Sequence, residues 1–188
     1  MRFTFLSEPL DYDGSQLRSG FAAGESGGDA LVAFVGACRV EGEALVDLED
    51  RAAGERIIAA EMLHFIAEHP GADLEVTTLR QRLLVESARL AAEEAAEKAS
   101  GSPVRLVRRG DDIFAGEGKL SVSVATVSPR GGLIHLGVNI DAAGAPVRTA
   151  SLAELGIEPR GFAAEVARRY NDELESVRHA CGKVRPVD

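Results

Sequence analysis

Alternating apolar and polar positions predict β-strands near the start of the chain and again after residue 120. Residues 1–6 alternate, and the apolar run at 31–35 has the length of a buried strand bounded by glycines. Residues 120–125 and 134–140 also alternate, and the turn between them contains two glycines. These two late stretches are therefore predicted to form a β-hairpin.

Apolar residues at helical spacing predict helices elsewhere. They cover residues 13–23, 54–68 and 80–99, a short stretch opening at the Ser151–Glu154 capping box, and the chain after Pro159. Strands and helices are mixed without regular β-α-β alternation. The predicted fold is therefore α+β, with a mixed, largely antiparallel sheet flanked by helices in a single domain over residues 1–188.

The polar positions of the predicted hairpin supply candidate chemistry. If the two strands pair their polar positions, Ser121, Ser123, His135 and Asn139 share one face of the sheet. His135 would then act on a ligand as acid or base, and Asn139 would donate a hydrogen bond to it. The alternative is that His135 and Asn139 simply lie on the wet face of an open sheet.

Composition indicates an ordinary soluble globular protein. Hydrophobic residues make up 45% of the 188 positions and charged residues 27%. No apolar run approaches the roughly 18 residues that a membrane span needs, so we expect no membrane partner. The first residues lack the apolar core of a signal peptide, and a cytoplasmic location is the expectation.

Charge and motif content exclude several functional classes. The net charge of −9 argues against general nucleic-acid binding. Cys38 and Cys181 lie far apart without a CxxC pair, so neither a zinc knuckle nor a disulfide framework is indicated. No Gly-x-Ser-x-Gly elbow or Walker-type loop occurs, which removes those hydrolase and NTPase interpretations.

A carboxylate pair and a lysine frame the glycine-containing turn before the hairpin. Asp111 and Asp112 are followed by Gly118 and Lys119. A lysine ammonium is a compact charge suited to phosphate, and a carboxylate pair suits the Mg²⁺ that accompanies a nucleotide. Turns also favour aspartate and glycine for structural reasons alone, so a solvated acidic turn is the alternative.

Residues 108–140 resemble the central segment of biotin and lipoate protein ligases. In that family a strand leads into Lys-Trp-Pro-Asn-Asp, a turn, Gly-Lys-Leu-Ala-Gly, and a strand ending in Gly-Ile-Asn. The last aspartate of the pattern falls on Asp112, the lysine on Lys119, and the closing tripeptide on Gly137-Val138-Asn139. The resemblance implies a ligase-like fold, with these residues at a site for an acyl-adenylate.

Over nearly its whole length the chain is similar to the family catalogued as domain of unknown function 366. The stretches that carry this similarity are residues 11–18, 46–50, 62–65, 80–84 and 119–123. The similarity implies a shared fold, and it brings no established activity with it.

Acidic and histidine side chains around residue 60 form a second candidate site. On the predicted helix over 54–68, Glu61 and His64 share a face at a spacing of three residues. With a carboxylate from Asp47 they would bind a metal ion, as in a metal-dependent hydrolase or lyase. The alternative is that His64, beside the apolar Phe65, is a hydrogen-bonded histidine at the core.

Two further polar groups lie at predicted helix starts. Asp13, Gln16 and Arg18 surround the first, where Asp13 suits an N-cap and the run as a whole suits a ligand contact. Arg80 and Arg82 lie at the start of the predicted 80–99 helix, where cations oppose the helix dipole. That placement indicates either anion binding or a buried ion pair.

Together these features favour a small cytoplasmic enzyme that binds a nucleotide or an acyl-adenylate-like small molecule, with ATP and Mg²⁺ as expected cofactors. Lys119 would contact a phosphate or carboxylate, Asp112 would bind Mg²⁺ or a ligand amine, and His135 with Asn139 would line the floor. The alternatives are the metal-dependent enzyme and a non-catalytic ligand-binding or assembly module. The chain has no counterpart of the ligases' glycine-arginine loop, which favours the module. A homodimer is expected by analogy with the resembled fold.

Overall fold

The structure, a computed structural model, describes residues 1–25, 27–143 and 147–187. Within these ranges the strands are β1 (Arg2–Phe5), β2 (Ala30–Glu41), β3 (Arg56–Pro70), β4 (Leu106–Arg109), β5 (Asp112–Ala115), β6 (Gly118–Lys119), β7 (Ser121–Ser128) and β8 (Gly131–Asp141). The helices are α1 (Leu48–Ala53), α2 (Leu74–Ser100) and α3 (Pro159–Gly182), and a 3-10 turn at Gly42–Ala44 precedes α1.

The strands form two sheets. The main sheet has five strands in the order β1-β2-β3-β8-β7, in which β1 runs parallel to β2 and all other neighbours are antiparallel. A small sheet, β4-β5-β6, is antiparallel throughout. The predicted α+β fold with a mixed, largely antiparallel sheet is confirmed.

Strand β3 replaces the helix that the spacing predicts over residues 54–68, and that prediction is wrong. The strand pairs with β2 along one edge and with β8 along the other. A central strand buried on both faces is apolar at consecutive positions, so Ile57, Ile58, Phe65 and Ile66 satisfy a helical stripe equally well. The segment forms a strand because its backbone N–H and C=O groups are hydrogen-bonded to β2 on one edge and to β8 on the other. These partners are distant in the sequence, so local spacing does not reveal them.

Alternation along β3 sends its side chains to two separate apolar clusters. Leu63, Phe65 and Ala67 belong to the cluster formed with α2 and α3. Met62 and Ile66 belong to a second cluster, formed with side chains of the segment that follows β1. The helices cover the first face of the sheet, whereas the N-terminal segment covers part of the second face and leaves the rest open.

The helix predicted over residues 13–23 is also wrong, because that segment is a series of turns and bends. Gly14 and Gly20 have positive φ angles of 94° and 83°, which an α-helix does not accommodate. The backbone amides of Gly20 and Ala23 instead donate to the carboxylate of Glu68 at 3.0 Å. The segment is therefore anchored to β3 and not to its own helical turns.

The two long helices are confirmed, with a changed start for α2. Asp73 caps α2 by accepting a hydrogen bond from the amide of Val76 at 2.8 Å, so the helix begins before residue 80. The Ser151 and Glu154 pair makes the two reciprocal bonds of a capping box, at 3.0 and 3.2 Å. Those bonds close a turn, and the short helix predicted there is wrong.

Among the helices that the structure describes, none is both long enough and apolar enough to cross a membrane.

Gly36 provides a test of how the N-terminal segment is held on β2. A methyl group at this position would overlap the carbonyl oxygen of Leu10. We expect Gly36→Ala to lower the free energy of unfolding by at least about 2 kcal/mol, since backbone atoms cannot yield as a flexible side chain can. Urea denaturation measures this, with Gly182→Ala as the control, because no atom lies within 4 Å of an added methyl group there. Equal stability of the two variants would contradict the close packing described.

Candidate functional site

A cleft of about 430 Å³ lies on the face of the sheet that α2 and α3 leave free. Its floor is largely apolar, formed by side chains of β2, β3 and β7 that include Val40, Ile57, Ala59, Met62, Val122 and Val124. Charged side chains line it as well: Asp47, Asp50, Glu55, Arg56, Asp111, Asp112 and Lys119. Tyr12, His135 and Asn139 contribute polar groups. The arrangement combines an apolar surface with a few polar groups, as small-molecule sites generally do.

Seven of the sequence-predicted site residues line this cleft: Asp47, Asp111, Asp112, Lys119, Ser123, His135 and Asn139. They come from different strands and loops, and the fold brings them together. The other predicted residues do not line it, namely Ser121, Arg80, Arg82, Asp13, Gln16, Arg18, Glu61 and His64.

Lys119 and Asp112 form an ion pair at the cleft, with 2.8 Å between Nζ and Oδ2. Both lie on the small sheet, in the paired strands β5 and β6. The side chains are 30% and 24% exposed, so an incoming ligand can reach them. Burial raises the pKa of Asp112 above its ordinary value although the Lys119 charge opposes the shift, and the charges of Asp111 and Asp50 add to it.

Asn139 connects the main sheet to the backbone around Lys119. Its side-chain Nδ2 donates to the carbonyl oxygens of Lys119 at 3.0 Å and of Ala150 at 3.2 Å. Its backbone carbonyl accepts from the amide of Leu152 at 2.7 Å. Both hydrogens of Nδ2 are thus used to hold the lysine-bearing strand in place, so the predicted donation to a ligand is not available and only Oδ1 is left for a ligand contact.

His135 and His64 form a buried hydrogen-bonded pair beneath the cleft. The Nδ1 of His64 lies 3.0 Å from the Nε2 of His135, and the Nε2 of His64 lies 3.3 Å from the carbonyl oxygen of Gly36. A carbonyl only accepts, so His64 carries its proton on Nε2 and accepts at Nδ1 from the N–H of His135. The Nδ1 of His135 is then left unprotonated.

Both histidines are uncharged at neutral pH. Burial lowers the pKa of His64 to about 4. Burial, and then the proximity of His64, holds the pKa of His135 well below its usual range. His135 is therefore a hydrogen-bonding group and not a cation in this site.

Tyr12 is the main cleft residue that was not predicted individually from the sequence. Its ring stacks on His135 with 3.8 Å between centroids and 13° between planes. It lies inside the polar run at 11–18, in which Asp13, Gln16 and Arg18 were the predicted ligand contacts. A lone aromatic residue in a glycine-containing polar run is compatible with burial, but it does not reveal the ring on which the residue stacks.

The register of the hairpin differs from the one that would pair its polar positions, and that prediction is wrong. Ser121 lies opposite Val138 and Ser123 opposite Leu136, whereas Val124 lies opposite His135. The two serine side chains therefore do not share the face of His135 and Asn139. The pairing of β7 with β8 is shifted by one residue from the predicted pairing, and such a shift moves every side chain of a strand to the opposite face of the sheet.

The hydroxyls of the two serines serve packing on the helix side. The Oγ of Ser121 accepts from the amide of Ile113 at 2.9 Å. The Oγ of Ser123 donates to the carbonyl of His135 at 3.0 Å and accepts from Gln81 at 2.9 Å. Both serines are on the edge strand β7, but only Ser123 also lines the cleft.

Arg80 and Arg82 lie inside α2 and not at its start, so their predicted opposition to the helix dipole is wrong. Arg82 Nη1 lies 3.0 Å from Asp111 Oδ1, and Arg80 Nη1 lies 3.5 Å from Asp29 Oδ1. Of the two interpretations left open, ion pairing is the one that the contacts support. Arg82 Nη1 is close to the Asp111 carboxylate without forming a hydrogen bond to it, so Arg82 acts on the cleft indirectly through its charge, while Gln81 donates to Asp111 Oδ2 at 3.0 Å.

The polar side chains of the run after β1 form hydrogen bonds within the turns of the run itself. Asp13 Oδ1 accepts from the amide of Ser15 at 2.9 Å. Gln16 donates to the carbonyl of Asp11 at 3.0 Å and accepts from the amide of Asp13 at 3.3 Å. Neither side chain lines the cleft, and neither does that of Arg18.

The metal-site hypothesis loses the helical face on which it depends, because β3 is a strand. His64 is bonded to Gly36 and His135, and Asp47 caps α1 by accepting from the amides of Glu49 and Asp50 at 2.8 and 3.1 Å. Throughout residues 1–25, 27–143 and 147–187, no group of three histidine, cysteine, aspartate or glutamate side chains is placed to hold a metal ion.

Comparisons with known proteins agree with the fold and place the chain among uncharacterised relatives. A family model described as domain of unknown function (DUF366) matches residues 1–185. Uncharacterized protein MJ0805 of Methanocaldococcus jannaschii is 31% identical, over 100% of this chain and 86% of its own length. A protein of unknown function from Pyrococcus horikoshi superposes with a TM-score of 0.88 at 35% identity, covering 100% of this chain and 99% of that one.

The predicted likeness to biotin protein ligases is confirmed at the level of the fold. The biotin protein ligase from Aquifex aeolicus in complex with biotin and ATP superposes with a TM-score of 0.56 at 18% identity. The superposition covers 93% of this chain and 70% of the ligase. At this identity the comparison concerns architecture alone.

The neutral histidine pair makes stability depend on pH. Folding lowers the pKa of His64 from its value in the unfolded chain, which is about 6.5. Its contribution to stability is complete at pH values above that unfolded-state pKa, and it is lost progressively as the pH falls toward the folded-state pKa. With a folded pKa of about 4, His64 alone should lower the free energy of unfolding by about 2 kcal/mol between about pH 7 and pH 5. Urea denaturation across that range measures the slope.

His64→Gln is the matched variant, because glutamine keeps one donor and one acceptor without titrating. The variant should show a shallower pH slope than the parent protein. Some slope should remain, since burial lowers the pKa of His135 and of His69 as well. Identical slopes for the two proteins would show that His64 is not held neutral.

Proposed function

The chain belongs to the family described as domain of unknown function (DUF366), and we propose that it is a small enzyme that binds a nucleotide or an acyl-adenylate-like ligand in the cleft. The observation that carries the proposal is that predicted site residues from different strands line the same cleft. Asp112 on β5, Lys119 on β6, and His135 and Asn139 on β8 all line one cleft. A ligand there would meet an apolar surface, an ammonium group and uncharged hydrogen-bonding groups together.

The shared architecture supports the same kind of ligand. The Aquifex aeolicus ligase of similar fold forms a complex with biotin and ATP. Fold alone does not determine function, so the support comes from the fold and the side chains taken together. The cleft volume of about 430 Å³ falls in the range typical of small-molecule sites.

Lys119 is the residue we assign to the anionic part of the ligand. Its ammonium is partly exposed and paired with the carboxylate of Asp112. The pair orients the lysine before a ligand arrives, and a phosphate or carboxylate would then compete with Asp112 or bind beside it. The apolar side chains of Val40, Ile57 and Met62 would face the uncharged part of the ligand.

The charge of the lining indicates that a phosphate would arrive with Mg²⁺. The cleft contains more carboxylates than cations, with only Arg56 and Lys119 on the positive side among the described lining residues. Mg²⁺ is usually held by one or two carboxylates together with substrate phosphates. Asp50 and Asp112 are the residues that would hold it, since both line the cleft and the negative potential of Asp50 contributes to the raised pKa of Asp112. The ion would offset that potential.

A non-catalytic ligand-binding module is the second candidate, favoured by the state of His135. The Nε2 of that ring is bonded to His64 and its pKa is depressed, so it is poorly suited to accept and return protons near neutral pH. Such a module would bind the ligand without turnover. Pyrophosphate release from ATP in the presence of carboxylic acids distinguishes the two candidates.

Replacing Lys119 tests the proposal. Isothermal titration with ATP, and with a non-hydrolysable acyl-adenylate analogue, with and without Mg²⁺, should give binding to the parent protein. Lys119→Ala should weaken it at least tenfold, because a charge-assisted hydrogen bond to phosphate contributes about 1.5–3 kcal/mol.

Lys98→Ala is the control, since this lysine is exposed in the last turn of α2 and outside the cleft. It should bind as the parent protein does. No heat and no thermal shift with either compound at millimolar concentration would overturn the proposal.

A further inference from the structure

The hydroxyl of Tyr12 lacks a hydrogen-bond partner within the part of the chain that the structure describes. Tyr12 is only 4% exposed, yet it lines the cleft. Among the described residues only Arg82 Nη1 is a buried side-chain polar atom without a hydrogen bond, so the Tyr12 hydroxyl is not buried and a ligand in the cleft can reach it. The hydroxyl of Tyr170, in contrast, lies 2.7 Å from Nε2 of His69.

The position of Tyr12 is fixed without using the hydroxyl. Its amide donates to the carbonyl of Ala37 at 2.8 Å, and its carbonyl accepts from the amide of Arg39 at 2.9 Å. Its ring lies flat on His135. Burial raises the pKa of Tyr12 far above the ordinary value, so the hydroxyl keeps its proton and can donate it to an acceptor.

The ring beneath it offers the complementary group. The proton order Gly36–His64–His135 leaves the Nδ1 of His135 as an acceptor. No described residue hydrogen-bonds to that nitrogen, and His135 also lines the cleft. Two stacked, uncharged rings thus bring a free donor and a free acceptor to the same end of the cleft.

We propose that Tyr12 and His135 form a subsite for an uncharged planar group that carries a carbonyl oxygen next to an N–H, as a cyclic secondary amide does. The carbonyl would accept from Tyr12 and the N–H would donate to His135. This inference rests on the proposed function in that it assigns one end of the same ligand, with Lys119 taking the anionic end. A carboxylate or phosphate would not suit this subsite, because the rings supply no positive charge to offset the desolvation of an anion.

The probe for this subsite is δ-valerolactam, a cyclic secondary amide, followed by the backbone amide shifts in ¹H–¹⁵N spectra of the full chain. The lactam should bind in the millimolar range with shifts centred on Tyr12 and His135. N-methyl-δ-valerolactam, which lacks the N–H, and acetate should bind at least about fivefold more weakly, corresponding to one neutral hydrogen bond.

Tyr12→Phe is the test variant and Tyr170→Phe its matched control. Tyr12→Phe should weaken lactam binding about fivefold while leaving the thermal midpoint unchanged, because the hydroxyl it removes has no protein partner. Tyr170→Phe should do the reverse, lowering the midpoint and leaving the lactam affinity unchanged, because its hydroxyl is bonded to His69 outside the cleft.

Equal binding of the two lactams, or an unchanged affinity in Tyr12→Phe, would overturn the inference. If the acyl-adenylate analogue binds and the lactam does not, the subsite assignment fails and the proposed function stands. If the lactam binds at Tyr12 and neither nucleotide nor analogue binds, the proposed function fails and the subsite stands.

Discussion

The hydrogen bonding of β3 along both of its edges is the constraint on which the rest of the structure depends. Pairing with β2 and β8 fixes which side chains of this strand face the helices and which face the cleft. It places His64 opposite both Phe34 and Gly137, and Ile66 opposite His135. A slip of one residue would move Met62 and His64 into the apolar core beneath α2 and would abolish the floor of the cleft.

The pairing of β3 with β2 and β8 allows a series of contacts that leads from Gly36 on β2 to Tyr12 at the surface of the cleft. Gly36, on β2, has no side chain, so the segment at Leu10 can approach it closely. The same residue offers its carbonyl to His64, which in turn sets the proton on His135. Tyr12, carried by the approaching segment, stacks on that ring. The close approach of the Leu10 segment to Gly36 thus positions Tyr12 and His135 at the uncharged end of the cleft. The separate small sheet carries Asp112 and Lys119 at the charged end.

The sequence allowed the fold class, α2, α3 and the late hairpin to be predicted, because local spacing and capping determine them. It could not reveal β3 as a strand, since a strand buried on both faces has no alternation and Ile57, Ile58, Phe65 and Ile66 also fit a helical stripe. The hairpin was predictable, but its register was not, because Val122 and Val124 are as compatible with the cleft face as the serines are. Asp112 and Lys119 could be found from motif resemblance. Tyr12 could not, since its importance depends on a stacking partner more than a hundred residues away.

The central claim, that a ligand binds on the open face of the sheet between Lys119 and His135, is tested most directly by mapping where it binds. The measurement is a ¹H–¹⁵N titration of the full chain with ATP and Mg²⁺, recording which backbone amides shift. The account predicts shifts concentrated at Asp112, Lys119, Val122 and His135, with α2 and α3 unaffected. Shifts centred on α2 and α3, or spread evenly over the surface, would contradict it.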